Sequence, residues 1–229
     1  MEAIDDVRVL TNRSSGKMGY AVARAALEAG CRVTLVSGPV ALVPPAARRG
    51  ALRLVRVESA REMAAAALPA FRRCDLAFHV AAVADFRPAS RIRGKLKKGR
   101  ALSSGGGVVR LALVANPDIL WSCGRIKHEM QILVGFALES ADGERNARAK
   151  LRAKNLDFVV WNDPSALNAD RSNVTVLGRD GERIPLRGHK SGIGRRLVAL
   201  ALQRWQRRSH ETHPRQRTQR TRRRPRRRA

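Results

Sequence analysis

Acidic side chains are scarce in this sequence: 19 Asp and Glu stand against 46 Lys and Arg, a formal net charge of +27. Aromatic residues make up only 4%, and the basic tail holds none that could stack on nucleic-acid bases. The three cysteines, Cys31, Cys74 and Cys123, are odd in number, widely separated and set among apolar neighbours. That excludes a disulfide framework and a paired-cysteine zinc site, and they read as packing residues. His79, His128, His189, His210 and His213 lack metal-ligand spacing. No apolar run approaches the roughly 20 residues of a membrane-spanning helix. Met1 is followed by Glu2, Asp5 and Asp6 rather than by a basic and then apolar leader. A cytoplasmic protein with no membrane partner is the expectation.

What is present suffices for one full-sized domain: 229 residues, 44% of them apolar. The positive charge is divided. Residues 207–229 hold eleven arginines against Glu211 alone, and the body keeps +17. A body this basic attracts phosphate esters or nucleic acid. From Arg215 on, RQRTQRTRRRPRRRA offers almost nothing apolar to offset the entropy of ordering. Residues 1–207 therefore read as the domain and 208–229 as a disordered Arg-rich tail. The tail has the charge to neutralise RNA or DNA phosphates, but without an aromatic residue it reads as a solvated extension.

Short β-branched runs alternate with helical segments, the pattern of an α/β fold: a Rossmann-like open, mostly parallel sheet with flanking helices. Strands are expected at Arg32–Val36, Leu52–Val57, Leu76–Val80, Ile132–Ala137 and Phe158–Trp161. Helices are expected at Gly19–Glu28, Ala60–Phe71, Pro117–Arg125, Asn146–Lys154 and Ser191–Arg207. Gly30 supplies the left-handed stop of the first helix. Asp180-Gly181 between Asn173–Leu177 and Arg183–Leu186 signals a small β-hairpin extension. Residues 89–107 are too polar and glycine-rich to pack, which reads as a mobile flap.

Four stretches permit chemistry. In TNRSSGKMGYA, Thr11 to Ala21, small residues before a helix leave backbone N–H groups that suit a phosphate. Thr11 and Met18 depart from a Walker loop, and the missing GxGxxG disfavours an NAD(P)-dependent reductase; alone, such a helix start is equally a structural cap. In HVAAVADFRP, His79 to Pro88, alanines let a ligand lie against the backbone at the carboxyl end of a strand. Asp85 there suits a sugar hydroxyl or base amine, or else caps a turn with Arg87 paired to it. His79 reads as a half-buried core residue. Lys95-Leu96-Lys97-Lys98 in the flap can stabilise developing negative charge, or is a solvated cluster. Lys150 and Lys154 share a helix face and reach a polyphosphate together, or are simply solvated.

Taken in order, TNRSSGKMG, VTLVSGP, AAVADFRP, KLKK, NPDIL, VGFALES and AKLRAKNLDFVVWND closely resemble the bacterial phosphopantothenoylcysteine synthetase family, or phosphopantothenate–cysteine ligase. This is the C-terminal domain of the bacterial DNA/pantothenate metabolism flavoprotein, and the match runs from about Ile4 to Arg207. The resemblance implies a CTP-dependent ligation in coenzyme A biosynthesis. The carboxylate of 4'-phosphopantothenate attacks the α-phosphate of CTP and releases pyrophosphate; the amine of L-cysteine then attacks the acyl-cytidylate, giving the amide and CMP. Mg²⁺ is implied on the triphosphate with few protein ligands, with no protein metal site and no flavin.

By resemblance, Asn12 holds the substrate carboxyl region and the acyl-cytidylate, and Arg8 helps bind the substrate phosphate. Ala81, Ala82 and Asp85 match the loop that cradles the cytidine nucleotide, Ala82 also bordering the substrate. Lys95 matches the flap lysine that acts on the activated intermediate. Asn116, Pro117, Asp118, Ile119, Phe136, Lys150 and Lys154 match nucleotide contacts. A homodimer is implied, as is a separate decarboxylase partner, since the family domain is often fused behind one. The family has a strand and a Gly-Thr turn ahead of the residues matching Ile4-Asp5-Asp6-Val7-Arg8, so two unpaired sheet edges and a hole in the core are expected here. Leu138 and Ser140 stand where the family prefers alanine and threonine. The resemblance does not separate CTP from ATP. The competing reading is an inactive truncated homologue whose basic surface and tail bind nucleic acid.

Overall fold

Apolar residues run almost without a break along the central parallel strands, and in the computed structural model successive ones point to opposite faces, both of them covered. The structure describes residues 1–97, 109–138, 142–162 and 170–212. In chain order the elements are β1 (Glu2–Ala3), β2 (Val9–Leu10), α1 (Lys17–Glu28), β3 (Val33–Ser37), β4 (Leu52–Arg56), α2 (Ala60–Phe71), β5 (Leu76–His79) and β6 (Phe86–Pro88). There follow β7 (Leu113–Ala115), α3 (Ile119–Ile126), β8 (Ile132–Leu138), α4 (Gly143–Ala153), β9 (Phe158–Asn162), β10 (Arg171–Gly178), β11 (Arg183–His189) and α5 (Lys190–Thr212).

The central sheet has the order β11-β10-β9-β8-β5. Strands β5, β8 and β9 are parallel, and β10 runs against both β9 and β11. Four of its five strands thus point the same way, and the β10–β11 hairpin continues the sheet rather than hanging from it. Ile132, Val134, Phe158, Val160, Val174 and Val176 meet Val22, Ile193 and Leu197 of α1 and α5 on one face. Leu133, Ala137, Val159 and Leu177 meet Ala64, Leu120 and Leu151 of α2, α3 and α4 on the other. Helices on both faces make this the expected α/β architecture. Among the described residues no helix is long and apolar enough to cross a membrane.

Strands β3 and β4 pair in parallel with each other alone. Among the described residues nothing hydrogen-bonds to the second edge of β3 or of β5. Val33, Leu35, Val36, Leu76 and Phe78 on these strands are only half-buried, whereas Ile132, Leu133 and Val160 in the paired centre are fully buried. Among the described residues these two edges are thus unpaired, and the side chains along them keep partial exposure. The two pieces share helices: α1 and α2 both pack on β3 and both belong to the clusters that cover the larger sheet.

Gly30 has φ +84 after α1, as expected. Ser59 and Glu62 close a capping box at α2, with the Ser59 hydroxyl accepting from the Glu62 amide and the Glu62 carboxylate from that of Glu58. Helix α5 extends past its expected end to Thr212, so Arg208 belongs to the folded body: it reaches the carbonyls of Glu129 and Gln131 and the carboxylate of Asp157. Residues 213–229, most of the anticipated tail, lie outside the described residues. Cys123 is buried and Cys31 and Cys74 half-buried; burial pushes the Cys74 thiol up to about 11 and that of Cys123 up to about 12, as packing residues require.

Helix α5 crosses α1 at Gly194, where an added Cβ would sit 2.9 Å from both the carbonyl carbon and oxygen of Ala21. Backbone cannot yield there as a side-chain tip can. Gly192, in the same helix, has open space around it. Gly194→Ala should therefore cost about 1–3 kcal/mol through overpacking, despite a helix-propensity gain of up to about 1 kcal/mol, while Gly192→Ala should be neutral or stabilising. Urea unfolding of both variants decides this, and equal stabilisation by the two would contradict the close crossing.

Candidate active site at the carboxyl rim

The parallel strands β5, β8 and β9 end on one rim at His79, Leu138 and Asn162, and α4 begins after β8 there. The TNRSSGKMG segment turns into α1 at Gly16, whose φ is +72 and whose absent Cβ would lie 2.8 Å from the Val40 side chain. No side chain caps α1. Its first N–H groups and positive dipole end are thus available to an anion.

The loop after β5 joins the anticipated residues. Asn12 Nδ2 donates to the Val83 carbonyl at 3.1 Å. Asn116 Nδ2 donates to the Ala84 carbonyl at 2.9 Å, and its backbone N–H to that of Asp85 at 2.8 Å. Ala81, Ala82 and Asp85 are exposed. Arg87 does not pair with Asp85; it donates to the Ala115 carbonyl and, at 3.3 Å, to Asn116 Oδ1. Both polar atoms of the Asn116 side chain thus engage its own loops, where they shape the 81–85 cradle and leave one N–H and one lone pair over.

A second group lies beside it. Asp118 caps α3 by accepting from the Trp121 amide at 2.9 Å and pairs with Lys154 Nζ at 2.6 Å. Burial works to raise its carboxyl, but the Lys154 hydrogen bond, the Trp121 amide and the charges of Lys154 and Lys150 outweigh that and hold it below its ordinary value. Lys150 Nζ donates to the Phe136 carbonyl at 2.7 Å, and its charge reaches the Asp118 carboxylate that Lys154 pairs with. Pro117 is exposed, whereas the Ile119 side chain is in the core; only the backbone of Ile119 can face a ligand.

Arg8 Nη2 donates to the Leu96 carbonyl at 2.7 Å, which sets the Lys95 turn beside the loop bearing Asn12. Lys95 itself is exposed and makes no ion pair among the described residues. Residues 98–107 of the anticipated flap and Ser140 fall outside the described residues; residues 89–97, expected to be mobile, are instead tied down by hydrogen bonds from the backbone amides of Ala89, Ile92, Gly94 and Leu96 to Ala112, Ile4, Asp6 and Asp5. Sequence reasoning missed Lys17, which pairs with Asp170 at 2.7 Å, and the buried Lys190. Burial, then the charge of Lys17, lowers Lys190. Both lysines occupy the first residue of a helix, where the dipole disfavours a cation; that local conflict was the available signal. Among the described residues no three His, Cys, Asp or Glu side chains gather as metal ligands.

His79, at the end of β5, is pushed down to about 4 by burial; the Lys154 charge adds to this and that of Asp118 opposes it. It is neutral at pH 7. Because its value in the unfolded chain is about 6.5, its contribution to stability is complete above pH 6.5 and is lost as pH falls toward 4, up to about 3 kcal/mol. His79→Gln should flatten the fall in Tm between pH 7 and 4.5. Parallel pH profiles for the two proteins would contradict this environment.

The DNA/pantothenate metabolism flavoprotein C-terminal domain family matches residues 1–204. The Bacillus subtilis coenzyme A biosynthesis bifunctional protein CoaBC is 46% identical over 186 residues, 80% of this chain and 43% of that protein. This chain thus spans about half the length of the curated relatives it matches. The crystal structure of the C-terminal domain of a CoaBC protein superposes with a TM-score of 0.73 at 35% identity, covering 90% of this chain and 91% of that one. A Cab2 variant in complex with phosphopantothenate-cysteine shares the fold at 16% identity, with a TM-score of 0.73 over 92% of this chain and 85% of its own. With nearly its whole folded length matched, this chain belongs to the DNA/pantothenate metabolism flavoprotein C-terminal domain family.

Proposed function

We propose that this domain is a phosphopantothenate–cysteine ligase that activates 4'-phosphopantothenate with CTP. One observation carries the reading: hydrogen bonds from Asn12 to Val83 and from Asn116 to Ala84 draw the family's motif residues, distant in sequence, onto a single rim. That rim has an uncapped helix start and the ammonium groups of Lys17, Lys150 and Lys154, which suits a triphosphate. The related CoaBC proteins act in coenzyme A biosynthesis, and the Cab2 neighbour holds phosphopantothenate-cysteine.

In this reading the substrate carboxylate attacks the α-phosphorus of CTP, the bond to the bridging oxygen breaks, and pyrophosphate leaves. The amine of L-cysteine then forms the amide, losing a proton, while the acyl C–O bond breaks and CMP departs. Asn12 holds the carboxyl region and Arg8 the substrate phosphate. Ala81, Ala82 and Asp85 offer backbone and a carboxylate to the nucleoside, with Asn116, Pro117, Asp118, Ile119 and Phe136 completing that wall. Lys150 and Lys154 face the phosphates, and Lys95 stabilises charge on the activated intermediate. Mg²⁺ accompanies the triphosphate and offsets its charge. ATP is the rival nucleotide.

A homodimer fits the exposed Val7, Val9, Phe86, Leu113 and Val114 on and beside the β1–β2 and β6–β7 ribbons. We place the protein in the cytoplasm, with a decarboxylase as the partner that consumes its product. Pyrophosphate release should require CTP, phosphopantothenate and L-cysteine for sustained turnover. Asn12→Ala and Lys95→Ala should each lower kcat about 100-fold or more without changing the far-UV circular dichroism. Unchanged rates in both variants would overturn the roles given to them.

A further inference from the structure

The residues that orient Lys95 lie about ninety positions away in the sequence, in the segment before Arg8. The Asp5 side chain is fully buried. Its Oδ1 accepts from the amides of Val7 at 2.8 Å and Arg8 at 2.7 Å, closing a local turn. Its Oδ2 accepts from the Leu96 amide at 3.0 Å and lies 3.5 Å from Arg8 Nη1. Arg8 in turn donates to the Leu96 carbonyl at 2.7 Å. Both backbone polar groups of Leu96 are therefore held by the Asp5–Arg8 pair. On the other side of Lys95, the Gly94 amide donates to Asp6 Oδ2 at 2.9 Å, and the Ile92 amide to the Ile4 carbonyl at 2.9 Å. Lys95 is clamped at both neighbours while its own side chain stays exposed.

We propose that Asp5 is a positioning residue for the ligation, a buried carboxylate that fixes the Lys95 turn against the loop bearing Arg8 and Asn12. The inference rests on the catalytic role given above to Lys95. Fixing the amides on either side of a residue fixes the direction of its Cα–Cβ bond, and a displacement of about 1 Å at a reacting group costs up to about 100-fold in rate. The Leu96 and Val7 amides, ahead of the Arg8 contacts, hold the Asp5 carboxyl below the ordinary carboxylate range, so the clamp stays anionic at neutral pH. Asp6 contributes less, because its ion pair with Arg91 is exposed on both sides.

The chemistry dictates the variants. Asp5→Asn keeps the size and the Oδ1 acceptor but turns an NH₂ toward the Leu96 amide and the Arg8 guanidinium, both donors. Asp5→Ser keeps a hydroxyl for the local turn and cannot reach Leu96, and it serves if the asparagine variant does not fold. The experiment is a double-mutant cycle in the full chain, with pyrophosphate release as the readout, over wild type, Asp5→Asn, Lys95→Ala and the pair. Asp5→Asn should lower kcat about tenfold or more, with the KM for CTP within about threefold. In the Lys95→Ala background it should cost less than about threefold further, because two groups acting as one are non-additive. If Lys95→Ala is slow and the Asp5→Asn loss multiplies with it in full, or if Asp5→Asn turns over at the wild-type rate, the positioning role is wrong while the ligase reading stands. If Lys95→Ala turns over at the wild-type rate, the role of Lys95 falls and this inference falls with it.

Discussion

Helix α1 delivers an uncapped amino end to the carboxyl rim only because α5 lies against it backbone to backbone at Gly194. That crossing sets where Lys17 and Lys190, at the starts of the two helices, stand relative to Asp170. The far end of α5 is held just as firmly. The fully buried Asp157 carboxylate accepts from the Leu133 amide at 2.7 Å and from Lys127 at 2.9 Å, and pairs with Arg208. Breaking such a buried group leaves uncompensated charge in the interior, so the amino ends of β8 and β9 and the carboxyl end of α5 are fixed to one another. The opposite rim can then carry loops without losing register.

The same reasoning explains why the free edges of β3 and β5 do not scatter the site. The β3–β4 pair shares no strand hydrogen bonds with the larger sheet, yet α1 and α2 lie across both pieces. What suffers is burial: Leu35, Val36 and Phe78 keep part of their surface in contact with water. The motif loops depend more on side-chain hydrogen bonds, from Asn12, Asn116 and Arg87, than on that missing pairing.

Much of this was legible in the sequence because the signals were local. Short apolar, β-branched runs marked β8, β9 and β10; Gly30 marked the end of α1; Asp180-Gly181 marked the β10–β11 turn. The motif residues could be gathered on one rim because a parallel sheet places its strand ends there. The ribbons β1–β2 and β6–β7 escaped notice since two- and three-residue strands have no period to detect, and their partners are distant. Asp5 and Leu96 are 91 residues apart, and nothing near either residue announces the other. Arg208 read as tail because a run of arginines hides the one that meets Asp157. The spacing of Lys150 and Lys154 puts them on one helix face, but their engagement with the Phe136 carbonyl and with Asp118 is a matter of side-chain reach that spacing does not encode.

A carboxylate becomes reactive toward an amine only after its oxygen is converted to a leaving group, and a rim rich in ammonium groups and helix N–H groups suits nucleotidyl transfer to that oxygen. The oxygen therefore records the route. The decisive measurement supplies 4'-phosphopantothenate labelled with oxygen-18 in its carboxylate, together with CTP and L-cysteine, and follows the label by mass spectrometry. Attack at the α-phosphorus should place one labelled oxygen in CMP and none in inorganic phosphate. Label in inorganic phosphate, or unlabelled CMP accompanying amide formation, would contradict activation through an acyl-cytidylate.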